Sequence, residues 1–295
     1  MKSVNFNKKL ALGTAQFGLD YGIANQKGKI GSGVAADILE YAQSSGIDTL
    51  DTAIAYGDSE QCLGEIGVSS WNVVSKLPEI PVGTTNIDYW VKQSVDNSLQ
   101  RLKISQLYGL LLHRPQQLLS PEGQAIYQSL NLIKAQGLVD KIGISIYNQT
   151  EIETLFNEFS WDLIQAPFNV LDRTLESSGW LSRLKGLGVE IHVRSVFLQG
   201  LLLMNPLTRP TYFQRWQSLW QRWENWLADN SLTPLQGCLG CVISNPEIDR
   251  VVVGVDSLIQ LQEIIATTTE KLLILPDDLC SDDSDLINPA RWKLR

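Results

Sequence analysis

The sequence predicts an α/β fold built as a single (β/α)8 TIM barrel, and three observations carry that prediction. Short β-branched or leucine-rich runs alternate eight times with longer stretches of helical period. No break in composition marks a linker along the 295 residues, a length that suits one large barrel. The first run lacks the Gly-x-Gly-x-x-Gly turn that an open doubly wound sheet, the alternative, would place after it. Parallel strands with helical crossovers are the economical way to fold such an alternation.

In chain order, strands are expected at residues 10–14, 47–51, 71–76, 107–113, 141–145, 163–166, 189–195 and 251–254. Helical periodicity marks residues 34–45, 89–102, 121–136, 151–159, 178–185 and 257–267 between them. The run at 47–51 ends on Asp51 and hands on to a loop carrying Tyr56, after which Gly57, Asp58, Ser59 and Glu60 have loop and helix-cap chemistry.

Two regions break the alternation. Residues 16–33 form a glycine-rich loop too long for a simple connection, placed to cover a pocket. After the seventh strand the chain passes Pro206 and Pro210 into two helices. The first of these carries Tyr212, Trp216, Leu219, Trp220, Trp223 and Trp226 at three- and four-residue steps, an aromatic face expected to pack on the barrel. One barrel domain is expected over 1–295, with 277–295 as a C-terminal tail.

Composition narrows the function classes. Hydrophobic residues at 44% and charged residues at 19% describe a soluble globular chain. No apolar run approaches the roughly 20 residues of a membrane span, and the N-terminus lacks the apolar stretch of a secretory signal. A cytoplasmic protein with reduced thiols is expected, since Cys62, Cys238, Cys241 and Cys280 are too few and too irregularly spaced for a disulfide framework. Cys238-x-x-Cys241 lacks a second pair and reads as packing. A net charge of −8 argues against a nucleic-acid partner. The acidic residues Asp277, Asp278, Asp282, Asp283 and Asp285 read as a solvated tail, without further ligands at metal spacing. No metal site is expected, because His113 and His192 are the only histidines. His192 lies inside the seventh strand, as a satisfied barrel histidine.

In a barrel of this kind the C-terminal ends of all strands open on one face, so residues remote in sequence meet there. Asp51, Lys76 and His113 end the second, third and fourth strands, and Tyr56 lies in the loop after the second. A carboxylate, an ammonium, an imidazole and a phenol converging at one mouth suit proton delivery to a carbonyl oxygen. Lys76 is expected to stabilise the phenolate of Tyr56 and so make it a better acid near neutrality, Asp51 to hold Lys76, and His113 to orient the carbonyl. Side chains supply no hydride, so the reaction requires a nicotinamide.

The segments 50–60 (LDTAIAYGDSE), 74–77 (VSKL) and 111–115 (LLHRP) resemble those that carry the catalytic tetrad of the aldo-keto reductase family, and Gly13, Thr14 and residues 98–102 fit as well. The resemblance runs from the first strand to Gln262. It implies an NAD(P)H-dependent reductase of aldehydes or ketones, or in reverse an oxidiser of a sugar-like alcohol, working by direct hydride transfer. It assigns the tetrad to Asp51, Tyr56, Lys76 and His113, with Tyr56 the proton donor.

Cofactor positions implied by the resemblance are Gly13, Thr14, Asp51, Ser145, Gln165, Arg194, Ser195, Gly254 and Gln260. Ser145 and Gln165 match residues that hold the nicotinamide carboxamide, although the Asn that often follows that serine is Ile146 here. Arg194 stands where an aromatic ring commonly stacks on the nicotinamide, and its guanidinium plane can stack too. Ser195 fits a pyrophosphate-contacting serine. NADP(H) is the family's cofactor, and NAD(H) is admitted because Asp256 replaces a basic residue frequent in NADPH-selective members and would repel a 2′-phosphate. The partner is a small carbonyl or sugar-like molecule, and the oligomeric state is not legible. The competing expectation is a nicotinamide-responsive regulatory or sensor subunit with little turnover.

Overall fold

Strands rich in buried aliphatic residues close the architecture. They are β1 (Leu10–Gly13), β2 (Thr49–Asp51), β3 (Asn72–Leu77), β4 (Leu107–Leu112), β5 (Val139–Ser145), β6 (Leu163–Pro167), β7 (Glu190–Arg194) and β8 (Arg250–Gly254). Each pairs in parallel with the next, and β8 returns to β1, so this computed structural model is a closed eight-stranded barrel. It describes residues 6–25, 27–268 and 273–294.

The helices are α1 (Ser32–Ser44), α2 (Ser59–Ile66), α3 (Ile87–Leu102), α4 (Gly123–Ala135), α5 (Gln149–Leu155), α6 (Thr174–Ser177), α7 (Trp180–Gly186), α8 (Gln217–Asp229), α9 (Pro234–Ile243), α10 (Leu258–Thr267) and α11 (Ser284–Ile287). Thr233 and Gln236 form a reciprocal capping box at the start of α9, which Pro234 opens. Local chemistry thus sets the helix entry that returns the chain to β8.

Two faces of each strand do different work. Outward residues such as Leu50, Val73, Leu110, Ile144, Ile164 and Val253 are buried in the main core that the strands share with the helices, which is why the strands read as continuous apolar runs. Inward, Val74, Leu111 and Leu163 form a separate small cluster. Near the N-terminal ends of the strands the lumen turns polar. The Tyr108 hydroxyl donates to Glu190 Oε2 at 2.7 Å, Lys141 reaches the same oxygen, and His192 Nε2 lies 2.7 Å from Glu190 Oε1. Burial opposes ionisation of Glu190, but His192, Lys141 and Tyr108 together hold its carboxyl below the usual range. His192 is only half satisfied, because among the described residues its buried Nδ1 has no partner.

Three sequence expectations are modified. The aromatic segment is not one helix: residues Thr211–Trp216 form a tight 3-10 turn before α8 begins at Gln217. Leu219, Trp220, Trp223 and Trp226 are buried as expected, whereas Tyr212 and Trp216 turn to the C-terminal segment. The helix expected to reach residue 159 ends at Leu155. The acidic segment after residue 276 is not simply a solvated tail. Leu279 and Leu286 are buried, Ser281 N–H donates to Leu171 O, and Trp292 meets Phe213 edge to face. The carboxylate of Asp283 accepts from Arg215 and Trp216. Its charge anchors the strap as well as facing water.

Candidate active site

The β2 to β3 to β4 ladder runs past the ends of the strands and fixes the site. Thr14 N–H donates to Asp51 O, Thr52 N–H to Val74 O, Ile54 N–H to Lys76 O and His113 N–H to Leu77 O. Asp51, Lys76 and His113 are thereby held on one rim. Tyr56 follows in a tight turn, its N–H on Ala53 O and its carbonyl accepting from Ser59 N–H. The loop after β1 presses on this turn. A Cβ at Gly18 would lie 1.8 Å from Tyr56 O, so only glycine allows the approach.

Asp51 is the hub. Lys76 Nζ donates to Asp51 Oδ1 at 2.7 Å and to Thr52 O at 2.8 Å, and the lysine is 1% exposed. Gln165 Nε2 donates to Asp51 Oδ2 at 2.6 Å from across the lumen, while Ser145 Oγ donates to Gln165 Oε1 at 3.3 Å. Residues from β2, β3, β5 and β6 are therefore tied in one buried polar chain. Such a chain is favourable only when every member is satisfied, and these four are.

Tyr56 and His113 stand edge to face with ring centroids 5.9 Å apart, and Lys76 Nζ lies over the Tyr56 ring 5.1 Å from its centroid. Among the described residues the Tyr56 hydroxyl has no hydrogen-bond partner. The Lys76 ammonium donates to Asp51 and Thr52 and lies over the face of the Tyr56 ring, not in hydrogen bond with its hydroxyl. Burial, and then the Asp51 charge, push the phenol above the ordinary tyrosine range. Burial also draws Lys76 below the ordinary lysine value against the pull of Asp51. His113 is lowered to about 4 by burial and then by the Lys76, Arg114 and Arg194 charges, so its imidazole is neutral at pH 7.

These residues line one cavity of about 610 Å3. Gly13, Thr14, Ser145, Gln165, Arg194, Ser195, Gly254 and Gln260 line it too, so the sequence-predicted catalytic and cofactor residues meet in a single space. The engagement of several is new. Thr14 Oγ1 donates to Asp51 O, and Gln260 Oε1 accepts from Asp256 N–H. Arg194 donates to Ile146 O at 2.9 Å and Ser195 Oγ at 3.2 Å, with its guanidinium 4.7 Å from the Tyr147 ring centroid. Asp256 also lines the cavity, and among the described residues its buried Oδ1 has no partner. After β7, Ser195, Leu198 and Gln199 all take positive φ, a concentration of backbone strain in a segment whose Ser195 and Gln199 line the cavity.

Sequence reasoning missed Tyr147 and Arg114 as cavity residues. Tyr147 sits in the loop after β5 within reach of two guanidiniums, with Arg114 at 5.3 Å and Arg194 at 4.7 Å from its ring centroid. The signal available was positional, because Arg114 and Tyr147 each lie two residues past the end of a strand, β4 at Leu112 and β5 at Ser145. The long loop after β1 does cover the cavity, through Gln16, Tyr21, Gly22, Ala24 and Asn25. Pro289 and Ala290 of the C-terminal strap close another part of the wall. Among the described residues no group of three or more His, Cys, Asp or Glu could hold a metal, and no helix is long and apolar enough to cross a membrane.

The sequence pattern of the Aldo/keto reductase family matches residues 9–274. The chain belongs to that family. It is an oxidoreductase by that membership. Among solved structures, this aldo-keto reductase is similar in fold to PA4992 from Pseudomonas aeruginosa, at 23% identity over 88% of each chain with a TM-score of 0.64. It is likewise similar to the holo form of the aldo-keto reductase AKR11C1 from Bacillus halodurans, at 20% identity over 90% of this chain and 88% of that one, with a TM-score of 0.71. No curated protein matches this aldo-keto reductase.

Proposed function

We propose that this aldo-keto reductase is a cytoplasmic NAD(P)H-dependent enzyme that reduces an aldehyde or ketone to an alcohol, or oxidises a sugar-like alcohol in reverse, with Tyr56 as the proton donor. The observation that carries this reading is the unpartnered hydroxyl of Tyr56, beside neutral His113 and above the buried Lys76–Asp51 pair, in a cavity large enough for a small carbonyl compound and a dinucleotide end.

The residues fit the cofactor. A Cβ at Gly254 would lie 2.6 Å from Gln16 Nε2, so the end of β8 is kept bare beside the N-terminus of α10, where unsatisfied N–H groups favour an anion. The orphaned Asp256 Oδ1 is an acceptor suited to ribose hydroxyls. Thr14, Ser145, Gln165, Arg194, Ser195, Gly254 and Gln260 would hold the dinucleotide. When bound, a reduced nicotinamide supplies the hydride.

The chain's own groups then handle the oxygen. His113 is neutral and offers a ring N–H to the carbonyl, orienting it toward Tyr56. As negative charge grows on that oxygen, the O–H proton of Tyr56 passes to it, giving the alcohol and a phenolate. Lys76 over the ring and Arg194 nearby offset the phenolate charge until solvent restores the proton. A raised phenol holds its proton until the carbonyl oxygen demands it. Asp51 keeps the ammonium from drifting toward the substrate.

The test is cofactor-linked absorbance over a panel of aldehydes, ketones and sugars with both nicotinamides. Tyr56→Phe should lower turnover by about 10²–10⁴-fold while leaving cofactor binding intact by fluorescence titration. An undiminished rate in that variant rejects the assignment.

A further inference from the structure

The cavity is charged unevenly, and the unevenness bears on what it takes. Its carboxylate Asp51 is neutralised by Lys76. The other two carboxylates on its wall, Asp256 and Glu263, belong to the β8 and α10 side. At the Tyr56 and His113 end stand two guanidiniums, Arg114 and Arg194. Among the described residues neither forms an ion pair with any carboxylate, and the Arg114 side chain meets only the face of Tyr147. In a chain of net charge −8, two unpaired guanidiniums facing one cavity are a local reversal of sign.

The two arginines differ in what they are free to do. Arg194 comes from β7, next to β8, and is already held by Ile146 O and Ser195 Oγ. Arg114 follows His113 at the end of β4, which lies opposite β8 in the eight-stranded ring. The phosphate-favouring α10 N-terminus is on the β8 side. An anion that meets Arg114 therefore belongs to the substrate and not to a dinucleotide bound at α10. Because Arg114 adjoins the histidine that meets the carbonyl, that anion lies within a few carbons of the reacting group. A planar guanidinium with free N–H donors matches a carboxylate or phosphate in two parallel hydrogen bonds.

We infer that the substrate is a small carbonyl compound bearing a carboxylate or phosphate group, with Arg114 as the residue that selects for the negative charge. This inference rests on the reductase reading given above. It goes further in naming the charge of the substrate and the side chain that recognises it. The Tyr147 ring, within reach of both guanidiniums, gives the otherwise exposed Arg114 side chain a contact at the cavity wall.

The experiment compares kcat/KM for two matched pairs with both nicotinamides, 4-oxobutanoate against its methyl ester and glyceraldehyde 3-phosphate against glyceraldehyde. The anionic member of at least one pair should be preferred by about tenfold, mainly through KM, the effect of one charge-assisted contact at a partly solvated site. Preference confined to one pair identifies the anion as carboxylate or phosphate. Arg114→Gln should remove that preference and Arg114→Lys should retain part of it. Calorimetric titration of the whole protein with 4-hydroxybutanoate and with glycerol 3-phosphate gives a second readout, in which binding of at least one is expected and is lost in Arg114→Gln. Ratios near unity in both pairs, or a preference that survives Arg114→Gln, overturn the inference while leaving the reductase intact. If no carbonyl is consumed with either nicotinamide the reductase reading itself fails, and calorimetry still decides whether Arg114 forms an anion site.

Discussion

His113 is the residue whose surroundings make the clearest demand on pH. Its folded value of about 4 lies below the ordinary 6.5, because burial and the charges of Lys76, Arg114 and Arg194 all oppose protonation. Between these two values the unfolded chain binds a proton that the folded protein refuses, so stability must fall as pH drops from 6.5 toward 4. Denaturant midpoints measured across that window should therefore decline, and His113→Asn should flatten the decline; an unaltered slope would remove His113 as its source. Tyr56 predicts nothing in the same range, since its proton is held beyond the usual tyrosine value. Asp256 makes a separate demand. Burial raises its carboxyl, its Oδ1 has no partner among the described residues, and it stands on the cavity wall beside the α10 N-terminus. Asp256→Arg should tighten NADPH relative to NADH by about tenfold, the worth of one charge-assisted contact, read by fluorescence titration. An unchanged ratio would mean that the carboxylate does not face the ribose.

At the scale of elements, α2 is held less by its few turns than by one carboxylate. Glu60 is 1% exposed, accepts from Arg101 Nε at 2.9 Å and Nη2 at 2.6 Å on α3, and accepts from Ser98 Oγ and Ser75 Oγ, both at 2.7 Å. Glu60→Ala leaves two hydroxyls and a guanidinium without their shared acceptor, and should cost about 3–5 kcal/mol in urea unfolding. A loss under 1 kcal/mol would show that water replaces the carboxylate. The sequence identified Glu60 only as cap chemistry, because its three partners lie 15 to 41 residues away. The strands were legible for the opposite reason: runs such as 71–76 and 107–113 declare burial on both faces within six or seven residues. The order of Asp51, Lys76 and His113 was legible because each falls at the end of its own strand, with Tyr56 in the loop after the first of these strands. The facing of Lys76 toward the Tyr56 ring was not, since it depends on Asp51 and Thr52 O competing for the same ammonium.

At the scale of the molecule, the C-terminal segment belongs to the barrel and to the cavity at once. Its acidic composition pointed to water, but Leu279 and Leu286 are buried and Tyr212 Oη, Arg222 Nε and Arg173 Nη2 all donate to its backbone carbonyls. Composition reports average polarity, whereas two leucines at the right places decide docking. Deleting residues 273–294 should expose the Tyr212, Phe213 and Trp216 cluster and widen the cavity at Pro289 and Ala290. The expected result is a lower melting temperature, binding of a hydrophobic dye and a raised KM, the last of these distinguishing loss of wall from loss of fold. Unchanged KM in a folded truncated protein would free the strap of any part in substrate fit.

The Asp51–Lys76 pair has a consequence for how such a barrel changes under selection. Two charges taken out of water are weak contributors to stability compared with well-fitted apolar side chains of similar volume. A laboratory lineage bred for heat tolerance alone would be drawn toward Leu or Met at these two positions and, on the reductase reading proposed above, would arrive at a sturdier but inert protein. Persistence of the pair through such a lineage would have to come from demanding turnover in every round.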